Sequence, residues 1–192
     1  MKDIVLIGGG GHCRSAIDVI EKGGQFQIAG VIDKPELLGS KILDYSVIGS
    51  DVDMSGLASK YKYALITVGQ IKSPALRIEL FGKAVEAGFI FPKIISPNAY
   101  VSEHAIIGHG TIVMHDALVN AGTSIESNCI INSKALIEHD CKILSHSHIS
   151  TGAIVNGGVL IEHGSFIGSG AVIRNGAIVH KYGFVKAGSL VY

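Results

Sequence analysis

The sequence carries little charge and no excess of either sign. Only 17% of its 192 residues are charged, and 16 lysines and arginines balance 16 aspartates and glutamates. A chain without a net field has no general attraction for nucleic acid or for an anionic membrane surface. No apolar run approaches the ~18 residues that a membrane-spanning helix needs. Nucleic-acid binding and membrane insertion are therefore not expected.

The sequence also lacks the marks of export and of a cysteine-based site. The N-terminal stretch MKDIVLIGGGGH turns glycine-rich after a short apolar run, unlike a signal peptide. Cys13, Cys129 and Cys141 form no CxxC pair, so neither a disulfide framework nor a zinc ribbon is indicated. With 47% hydrophobic residues the chain can bury a core. We expect a folded cytoplasmic protein.

The first half of the chain alternates strand-like and helix-like segments. DIVLIG, QIAGVID and KYALITVG read as buried strands, whereas HCRSAIDVIEKGG and PALRIELFGKAVEAGF have helical spacing. Strands that alternate with helices form a parallel sheet with helices on its faces. Residues 1–92 are therefore predicted to form a small Rossmann-like α/β domain.

The second half follows a strict period of six residues. Every position of one column is Ile or Val, and a small residue follows almost every one of them by four positions. The column comprises Ile95, Val101, Ile107, Val113, Val119, Ile125, Ile131, Ile137, Ile143, Ile149, Val155, Ile161, Ile167, Ile173, Val179, Val185 and Val191. Neither a helix nor plain strand alternation has this period, but short strands and turns that stack as repeated coils do.

This pattern resembles the hexapeptide-repeat left-handed parallel β-helix, in which three hexapeptides make one triangular coil of 18 residues. The resemblance implies such a β-helix over residues 93–192. Cys129 and Cys141 fall in the small-residue column and are expected in its core.

Stacking by 18 residues then places the histidines of ALIEHDCKILSHSHIS. His139 lies directly below Gly157, and Asp140 follows His139 in the sequence. A histidine base below a backbone N–H that could hold an oxyanion is a geometry for acyl transfer. The alternative is a solvated turn histidine, because His109, His115 and His163 share its hexad position. His139 and His148 are half a coil apart, so they do not converge on a metal, and no metal is expected.

The glycine run IGGGGHC follows a strand and opens a helix, where backbone N–H groups can receive phosphate. Asp33 closes the second strand, where an acid commonly contacts a ribose, and Gly69–Gln70 closes a later strand at the same edge of the sheet. A tight strand-to-helix turn, with Asp33 as a turn residue, explains the same pattern.

Together, GGGGH, Asp33, Asn132, IEHD, His148 and GAIVNGG resemble bacterial nucleotide-amino-sugar N-acetyltransferases of the bacillosamine, legionaminic acid and perosamine pathways. These enzymes serve surface-glycan or flagellin-glycan biosynthesis and are related to sialic acid O-acetyltransferases. The resemblance implies that acetyl-CoA donates an acetyl group to the C4 amine of a nucleotide-linked amino sugar.

The resemblance also implies roles for individual residues. His139 matches the catalytic base, Asp140 its acid partner and Glu138 the fallback partner. Gly157 matches the oxyanion-binding amide, and His148, Gly157 and Gly158 lie on the acetyl-CoA side. The expected sugar-nucleotide contacts are Gly9, Gly10, Gly11, His12, Asp33, Lys34, Gly69, Gln70 and Asn132.

The resemblance further implies a homotrimer with active sites between subunits. Ile112, Leu118, Ile130 and Leu136 are expected to be exposed apolar residues of the β-helix, consistent with self-association. Two departures from the family pattern stand out. Many relatives carry paired acids where this chain has Asp33-Lys34, and relatives usually extend past the last coil, whereas this sequence ends at GSLVY.

Other functions remain open from the sequence. A sialic acid-type O-acetyltransferase would share the β-helix, as would a sugar-nucleotide-binding sensor or scaffold without catalysis. A γ-class carbonic anhydrase-like hydratase would need three converging histidines, which the stacking rule does not provide.

Overall fold

The computed structural model describes residues 1–192, which divide into two compact units. The first comprises Met1–Gly69 and Ala75–Pro92, and the second comprises Gln70–Pro74 and Lys93–Tyr192. The predicted first range, 1–92, differs in one respect, because Gln70–Pro74 groups with the second unit. No helix is long and apolar enough to cross a membrane.

The first unit is built on a five-stranded sheet in the order β3-β4-β2-β1-β5. Its strands are β1 (Lys2–Ile7), β2 (Phe26–Ile32), β3 (Lys41–Ile42), β4 (Tyr45–Gly49) and β5 (Tyr63–Ile66). All neighbours pair in parallel except β3 and β4. The chain steps from β1 outward to β2 and β4, then crosses back to β5, so the strand order reverses beside β1. In open α/β sheets, ligands bind at the carboxyl ends of the strands near such a reversal.

Three helices accompany this sheet, α1 (Gly11–Gly23), α2 (Met54–Lys60) and α3 (Ala75–Glu86). Two short 3₁₀ turns, Pro35–Leu37 and Asp51–Asp53, lie in the loops after β2 and β4. Helix α1 ends where Gly24 adopts φ 62° and its N–H bonds the carbonyls of Ile20 and Glu21. The two helices expected from the sequence are present, and α2 lies in the segment that the sequence left undefined.

The second unit is a parallel β-helix made of two-residue strands. Its strands β6–β22 are Ile94–Ile95, Tyr100–Val101, Ile106–Ile107, Ile112–Val113, Leu118–Val119, Ser124–Ile125, Ile130–Ile131, Leu136–Ile137, Lys142–Ile143, His148–Ile149, Ile154–Val155, Leu160–Ile161, Phe166–Ile167, Val172–Ile173, Ile178–Val179, Phe184–Val185 and Leu190–Val191. Each strand pairs in parallel with the strand three further along, as Leu118 does with Leu136. This register is the 18-residue coil that the sequence predicts.

The β-helix has three flat faces, each formed by one sheet. We name them by their first strands: the β6 sheet (β6, β9, β12, β15, β18, β21), the β7 sheet (β7, β10, β13, β16, β19, β22) and the β8 sheet (β8, β11, β14, β17, β20). The second residue of each strand points inward, and the inner column from Val113 to Val185 is buried with the small residues Ala117, Cys129 and Cys141. The core is therefore the predicted Ile/Val column.

The corners between faces follow a second column that was not recognised in the sequence. Three residues after each inner residue from Ile107 to Val185 the backbone adopts positive φ, at Gly110, Asp116, Gly122, Asn128, Lys134, Asp140, His146, Gly152, Gly158, Gly164, Gly170, Gly176, Tyr182 and Gly188. Glycine, asparagine and aspartate tolerate this region best, which explains their frequency there.

The prediction that Ile112 and Ile130 are exposed is wrong. Both are 0% exposed within the single chain, whereas Leu118 and Leu136 are partly exposed. The reason is that the two pairs lie on different faces, the isoleucines on the β6 sheet and the leucines on the β7 sheet. Segment Gln70–Pro74 lies against the β6 sheet, where the Gln70 carbonyl accepts a hydrogen bond from His148.

Candidate active site

The candidate base lies in the corner turn between β13 and β14, residues 138–141. Thr123, one coil below, fixes the backbone of this turn. Its hydroxyl donates to the Glu138 carbonyl at 2.7 Å and accepts the N–H of Cys141 at 3.2 Å. The turn is therefore held from below by a side chain whose role the sequence did not reveal.

His139 and Asp140 form a hydrogen-bonded pair at this corner. The distance between His139 Nδ1 and Asp140 Oδ2 is 2.9 Å. Because an ionised carboxylate only accepts hydrogen bonds, this contact places a proton on Nδ1 and leaves Nε2 as the proton-accepting atom of a neutral ring. Nε2 makes no hydrogen bond within the chain. The pair is open to solvent in one chain, with side-chain exposures of 59% and 72%.

Gly157 lies directly over the His139 ring. A Cβ added at Gly157 would be 2.7 Å from both Cε1 and Nε2 of His139, closer than real Cβ contacts allow. The Gly157 N–H donates to no acceptor in the chain, while the next amide, that of Gly158, bonds the His139 carbonyl at 2.9 Å. A proton acceptor and an unused amide donor therefore lie side by side, which is an arrangement suited to acyl transfer.

Glu138 and Cys141 do not join this pair. The Glu138 carboxylate accepts a hydrogen bond from Asn120 Nδ2 at 2.9 Å, so Asp140 is the acid that contacts the His139 ring. Cys141 is 0% exposed, as its column predicts, and its thiol donates to the Asn156 carbonyl at 3.1 Å. Burial raises the pKa of the Cys141 thiol, so it is not an activated nucleophile.

His148, the expected residue on the acetyl-CoA side, contacts two groups of its own chain. Its Nδ1 bonds the Gln70 carbonyl at 2.6 Å, and its Nε2 lies 3.1 Å from the Asn132 amide nitrogen. A carbonyl only accepts, so Nδ1 carries the proton and Nε2 accepts from Asn132. The side chain is 6% exposed and its ring packs edge-on against Phe166. Both ring nitrogens of His148 are therefore engaged within the chain.

Gly69 and Gln70 are adjacent in sequence but belong to different units. The Gln70 side chain is 2% exposed and its Nε2 donates to the carbonyls of Gly164 and Ser165 at 3.2 and 3.4 Å. These contacts explain why the segment Gln70–Pro74 groups with the β-helix. Gly69 stays in the first unit, with its Cβ position 3.5 Å from the Cβ of His12.

The glycine loop brings open backbone to the N-terminus of α1. No side chain caps this helix and no acidic residue lies in its first turn. Cβ atoms at Gly10 and Gly11 would meet nothing within 4 Å, whereas one at Gly9 would be 2.7 Å from Asp33 Oδ2. Half-buried His12 lies in the first turn. The loop therefore has both a packed side and an open side where an anion could approach the helix terminus.

Asp33 ties the end of β2 to the glycine loop. Its Oδ2 accepts the Gly9 N–H at 2.5 Å, and its Oδ1 accepts the N–H of Lys34 at 2.8 Å. The turn role that the sequence allowed is thus present.

A pocket of about 250 Å³ opens at the carboxyl edge of the first unit's sheet. Its wall is largely apolar, with Asp33 and Lys34 among the polar groups. The lining residues are Ile7, Gly8, Ile32, Asp33, Lys34, Pro35, Ser50, Asp51, Val52, Val68, Leu76 and Leu80. Asp33 and Lys34 thus share one pocket, whereas Gln70 and Asn132 belong to the second unit.

Sequence reasoning missed several supporting residues. Thr123 and Asn120 each lie one coil below the turn they stabilise, so an 18-residue offset from residues 138–141 could have identified them. Arg77 of α3 is 1% exposed, and its guanidinium donates to the carbonyls of Ile66 and Val68 at the end of β5. No sequence signal distinguishes it from a surface arginine. No group of three or more His, Cys, Asp or Glu side chains converges as a metal site.

Comparisons with known proteins identify the family. The family model of the PglD N-terminal domain matches residues 3–83. The acetyltransferase domain of PglB from Neisseria gonorrhoeae FA1090 is 30% identical, with a TM-score of 0.92 over 100% of this chain and 92% of that one. The same domain in complex with acetyl coenzyme A gives 30% identity and a TM-score of 0.90, over 99% and 92% of the two chains.

PerB from Caulobacter crescentus, in complex with CoA and GDP-perosamine, is 25% identical, with a TM-score of 0.73 over 99% and 93% of the two chains. No curated protein sequence matches the chain. The likeness to the PglB domain confirms the expected fold, a small α/β domain followed by a left-handed β-helix. The chain therefore belongs to the hexapeptide-repeat sugar acetyltransferase family and is an acyltransferase.

Proposed function

We propose that this enzyme transfers the acetyl group of acetyl-CoA to the C4 amine of a nucleotide-linked amino sugar. The amine nitrogen attacks the thioester carbonyl carbon, and the C–S bond breaks to release coenzyme A. His139 accepts the proton that the amine loses, and this proton can then pass to the departing thiolate. The products are an acetamido sugar nucleotide and free coenzyme A.

One observation carries this proposal: the arrangement of His139, Asp140 and Gly157. The Nδ1 bond to Asp140 orients the ring and leaves Nε2 to accept a proton. The unused Gly157 N–H, beside that ring, is a donor for the oxyanion that forms at the attacked carbonyl. A general base of this kind contributes a rate factor of about 10²–10⁴.

The first unit is the proposed nucleotide-binding part. The structure of PerB in complex with CoA and GDP-perosamine matches 99% of this chain, so the similarity includes the first unit. The glycine backbone at Gly10 and Gly11, with open space at both Cβ positions and His12 next in sequence, is suited to the diphosphate at the start of α1. The apolar pocket that contains Asp33 and Lys34 is suited to the nucleoside.

Acetyl-CoA is the proposed donor, and it would bind between the β-helices of neighbouring subunits in a homotrimer. In a single chain the His139–Asp140 pair is exposed to water, which a neighbouring subunit would exclude. Gly157 and Gly158 are proposed contacts on the acetyl-CoA side. Because both ring nitrogens of His148 are engaged, we propose that His148 supports the site through Asn132 and Gln70.

The β7 sheet is the proposed trimer face. All six of its outward residues are apolar: Tyr100, Leu118, Leu136, Ile154, Val172 and Leu190. The end residues Tyr100 and Leu190 are 60% and 53% exposed, and the four between them are partly exposed. The β8 sheet interrupts its outward row with Ser124 and Lys142. A continuous apolar stripe on one face is typical of an interaction surface, which supports the proposal that another copy covers it.

The reaction is tested by following thiol release from acetyl-CoA with a panel of UDP- and GDP-linked 4-amino sugars, with cytidine-linked and free sialic acids as the O-acetyl alternative. The proposal predicts turnover with an amino sugar of one nucleotide series and an amide in the product. Turnover only with a sialic acid, giving an ester, would contradict it. Tight nucleotide binding without any turnover would support the sensor alternative instead.

A further inference from the structure

Gly122 lies one coil below Asp140, at the same corner of the β-helix. A Cβ added to Gly122 would overlap Oδ1 of Asp140 and lie 3.3 Å from its Cγ. The other carboxylate oxygen, Oδ2, is the one bonded to His139 at 2.9 Å. The Asp140 carboxylate therefore lies between the His139 ring and the bare Cα of Gly122.

The backbone conformation alone does not explain this glycine. Gly122 has φ 73°, but its corner column also contains Asp116, Asn128, Lys134 and Tyr182, with φ between 54° and 60°. Bulky side chains are therefore tolerated at this kind of corner in this protein. The feature that distinguishes Gly122 is the carboxylate directly against it, because Gly152 and Gly170 have the same conformation and open space around the Cβ position.

We propose that Gly122 is a positioning residue: its missing side chain lets the Asp140 carboxylate occupy the place from which it orients His139. This inference rests on the proposed role of His139 as the base. The pair is exposed on its outer side, with Asp140 72% exposed. The packing surface beneath the carboxylate is therefore what limits the conformations of Asp140, and a methyl group there would turn it away from Nδ1.

The test compares Gly122→Ala with Gly152→Ala. Both glycines have positive φ, 73° and 65°, so alanine strains the backbone similarly at each. We expect kcat to fall on the order of 10- to 100-fold in Gly122→Ala, as for other residues that orient a functional side chain. The KM for acetyl-CoA should not change, and Gly152→Ala should keep the wild-type kcat. Equal losses in the two variants, or a raised KM with unchanged kcat, would overturn the proposal.

A double-mutant cycle shows whether Gly122 acts through Asp140. Adding Gly122→Ala to an Asp140→Ala enzyme should cause no further loss of kcat, because the side chain that it displaces is already absent. A loss as large as in the wild-type background would mean that Gly122 acts by another route and would contradict the inference.

A structural readout separates failure of this inference from failure of the proposed function. The ¹⁵N chemical shifts of the His139 ring report which nitrogen carries the proton. We expect a dominant Nδ1–H tautomer in the wild type and in Gly152→Ala, and a mixture or the other tautomer in Gly122→Ala. Should no acceptor be turned over, this comparison still tests the positioning, and identical spectra in all three proteins would refute it.

Discussion

Four histidines occupy the corner position of His139 along the β-helix, and their neighbours distinguish them. His115 Nδ1 bonds the Ser96 hydroxyl at 2.6 Å, and His163 packs edge-on against His146 and Tyr182. His109 is exposed and bonded to no side chain. Only His139 has a carboxylate on Nδ1 together with a glycine over the ring. The chemistry of the corner therefore depends on these contacts, since the position itself is repeated.

His148 gives a prediction about stability at the residue scale. His148→Ala would leave the Gln70 carbonyl without its donor and open a cavity beside Phe166. We expect the free energy of unfolding of the β-helix to fall by about 2–4 kcal/mol. Urea unfolding followed by far-UV circular dichroism measures it, with exposed His109→Ala as the control. If His148→Ala keeps the wild-type stability but has a raised KM for acetyl-CoA, His148 contacts acetyl-CoA directly instead.

How much the sequence predicts differs sharply between neighbouring residues of this site. The inner Ile/Val column sets the register, so the placement of His139 below Gly157 followed from counting 18 residues. The Asp140 contact agrees with the family resemblance, which also allowed Glu138. The engagement of His148 by Gln70 could not be predicted, because it joins positions 78 apart through a loop with no repeat.

At the scale of elements, the N-terminus of α1 combines the proposed phosphate-binding loop with a buried thiol. Cys13 stands where a third glycine would complete a common dinucleotide motif, and it is 0% exposed. Burial raises the pKa of Cys13 from 9.0 to about 11, and nearby Asp33 acts in the same direction, against a hydrogen bond with Thr67. The thiol therefore serves as a packed apolar group beneath the glycine loop.

This pKa shift predicts how the stability of the first unit depends on pH. Between pH 9 and about 11 the folded state keeps the Cys13 proton that the unfolded chain releases, so the free energy of unfolding falls as the pH rises through this window. The contribution is complete below pH 9 and amounts to about 2–3 kcal/mol at most. In Cys13→Ala this part of the pH dependence is absent.

The measurement is urea unfolding of both proteins at pH 7.5, 9, 10 and 11. Other groups that titrate in this range, such as Tyr45, are common to both proteins, so the difference between the two curves isolates Cys13. The stability advantage of the wild type should shrink as the pH rises. A constant difference from pH 7.5 to 11 would show that Cys13 loses its proton equally in the folded and unfolded states.

The sequence predicted the elements that carry a long apolar pattern. It did not predict short strands or the contacts of individual buried residues. The strands and helices that carry strong apolar patterns, β1, α1, β2, β5 and α3, lie where the sequence indicates. The segment that holds β3, β4 and α2 has strands as short as two residues, too short for a periodic signal. The burial of Arg77 could not be predicted either. An arginine of α3 that donates a hydrogen bond to the Ile66 carbonyl at the end of β5 has the same helical spacing as a surface arginine.

At the scale of the whole molecule, the three faces of the β-helix differ in what covers them. The outward residues Ile112 and Ile130 of the β6 sheet are already buried within the chain, whereas the apolar row of the β7 sheet remains partly exposed. Alternation of inner and outer residues follows from the sequence, but which face is covered within a chain depends on packing between segments far apart in sequence. The four residues predicted to form one exposed apolar surface therefore lie on two faces, and only the pair on the β7 sheet is partly exposed.

The apolar row of the β7 sheet predicts the oligomeric state. Leu136→Asp would place a charge in the middle of the proposed trimer face, and we expect it to convert the trimer to monomers. Lys142→Glu changes an exposed residue of the β8 sheet and should leave the trimer intact. Size-exclusion chromatography with light scattering distinguishes the states. A trimer that survives Leu136→Asp would mean that another surface joins the subunits.

The most direct test of the account is the turnover of acetyl-CoA by the wild type, His139→Ala and His109→Ala with an acceptor that the wild type uses. The two histidines share one corner position, but only His139 contacts an acid and lies under a glycine. We predict that kcat falls about 10²- to 10⁴-fold in His139→Ala, because the general base is lost, and stays close to the wild-type value in His109→Ala. Undiminished turnover in His139→Ala would contradict the proposed mechanism.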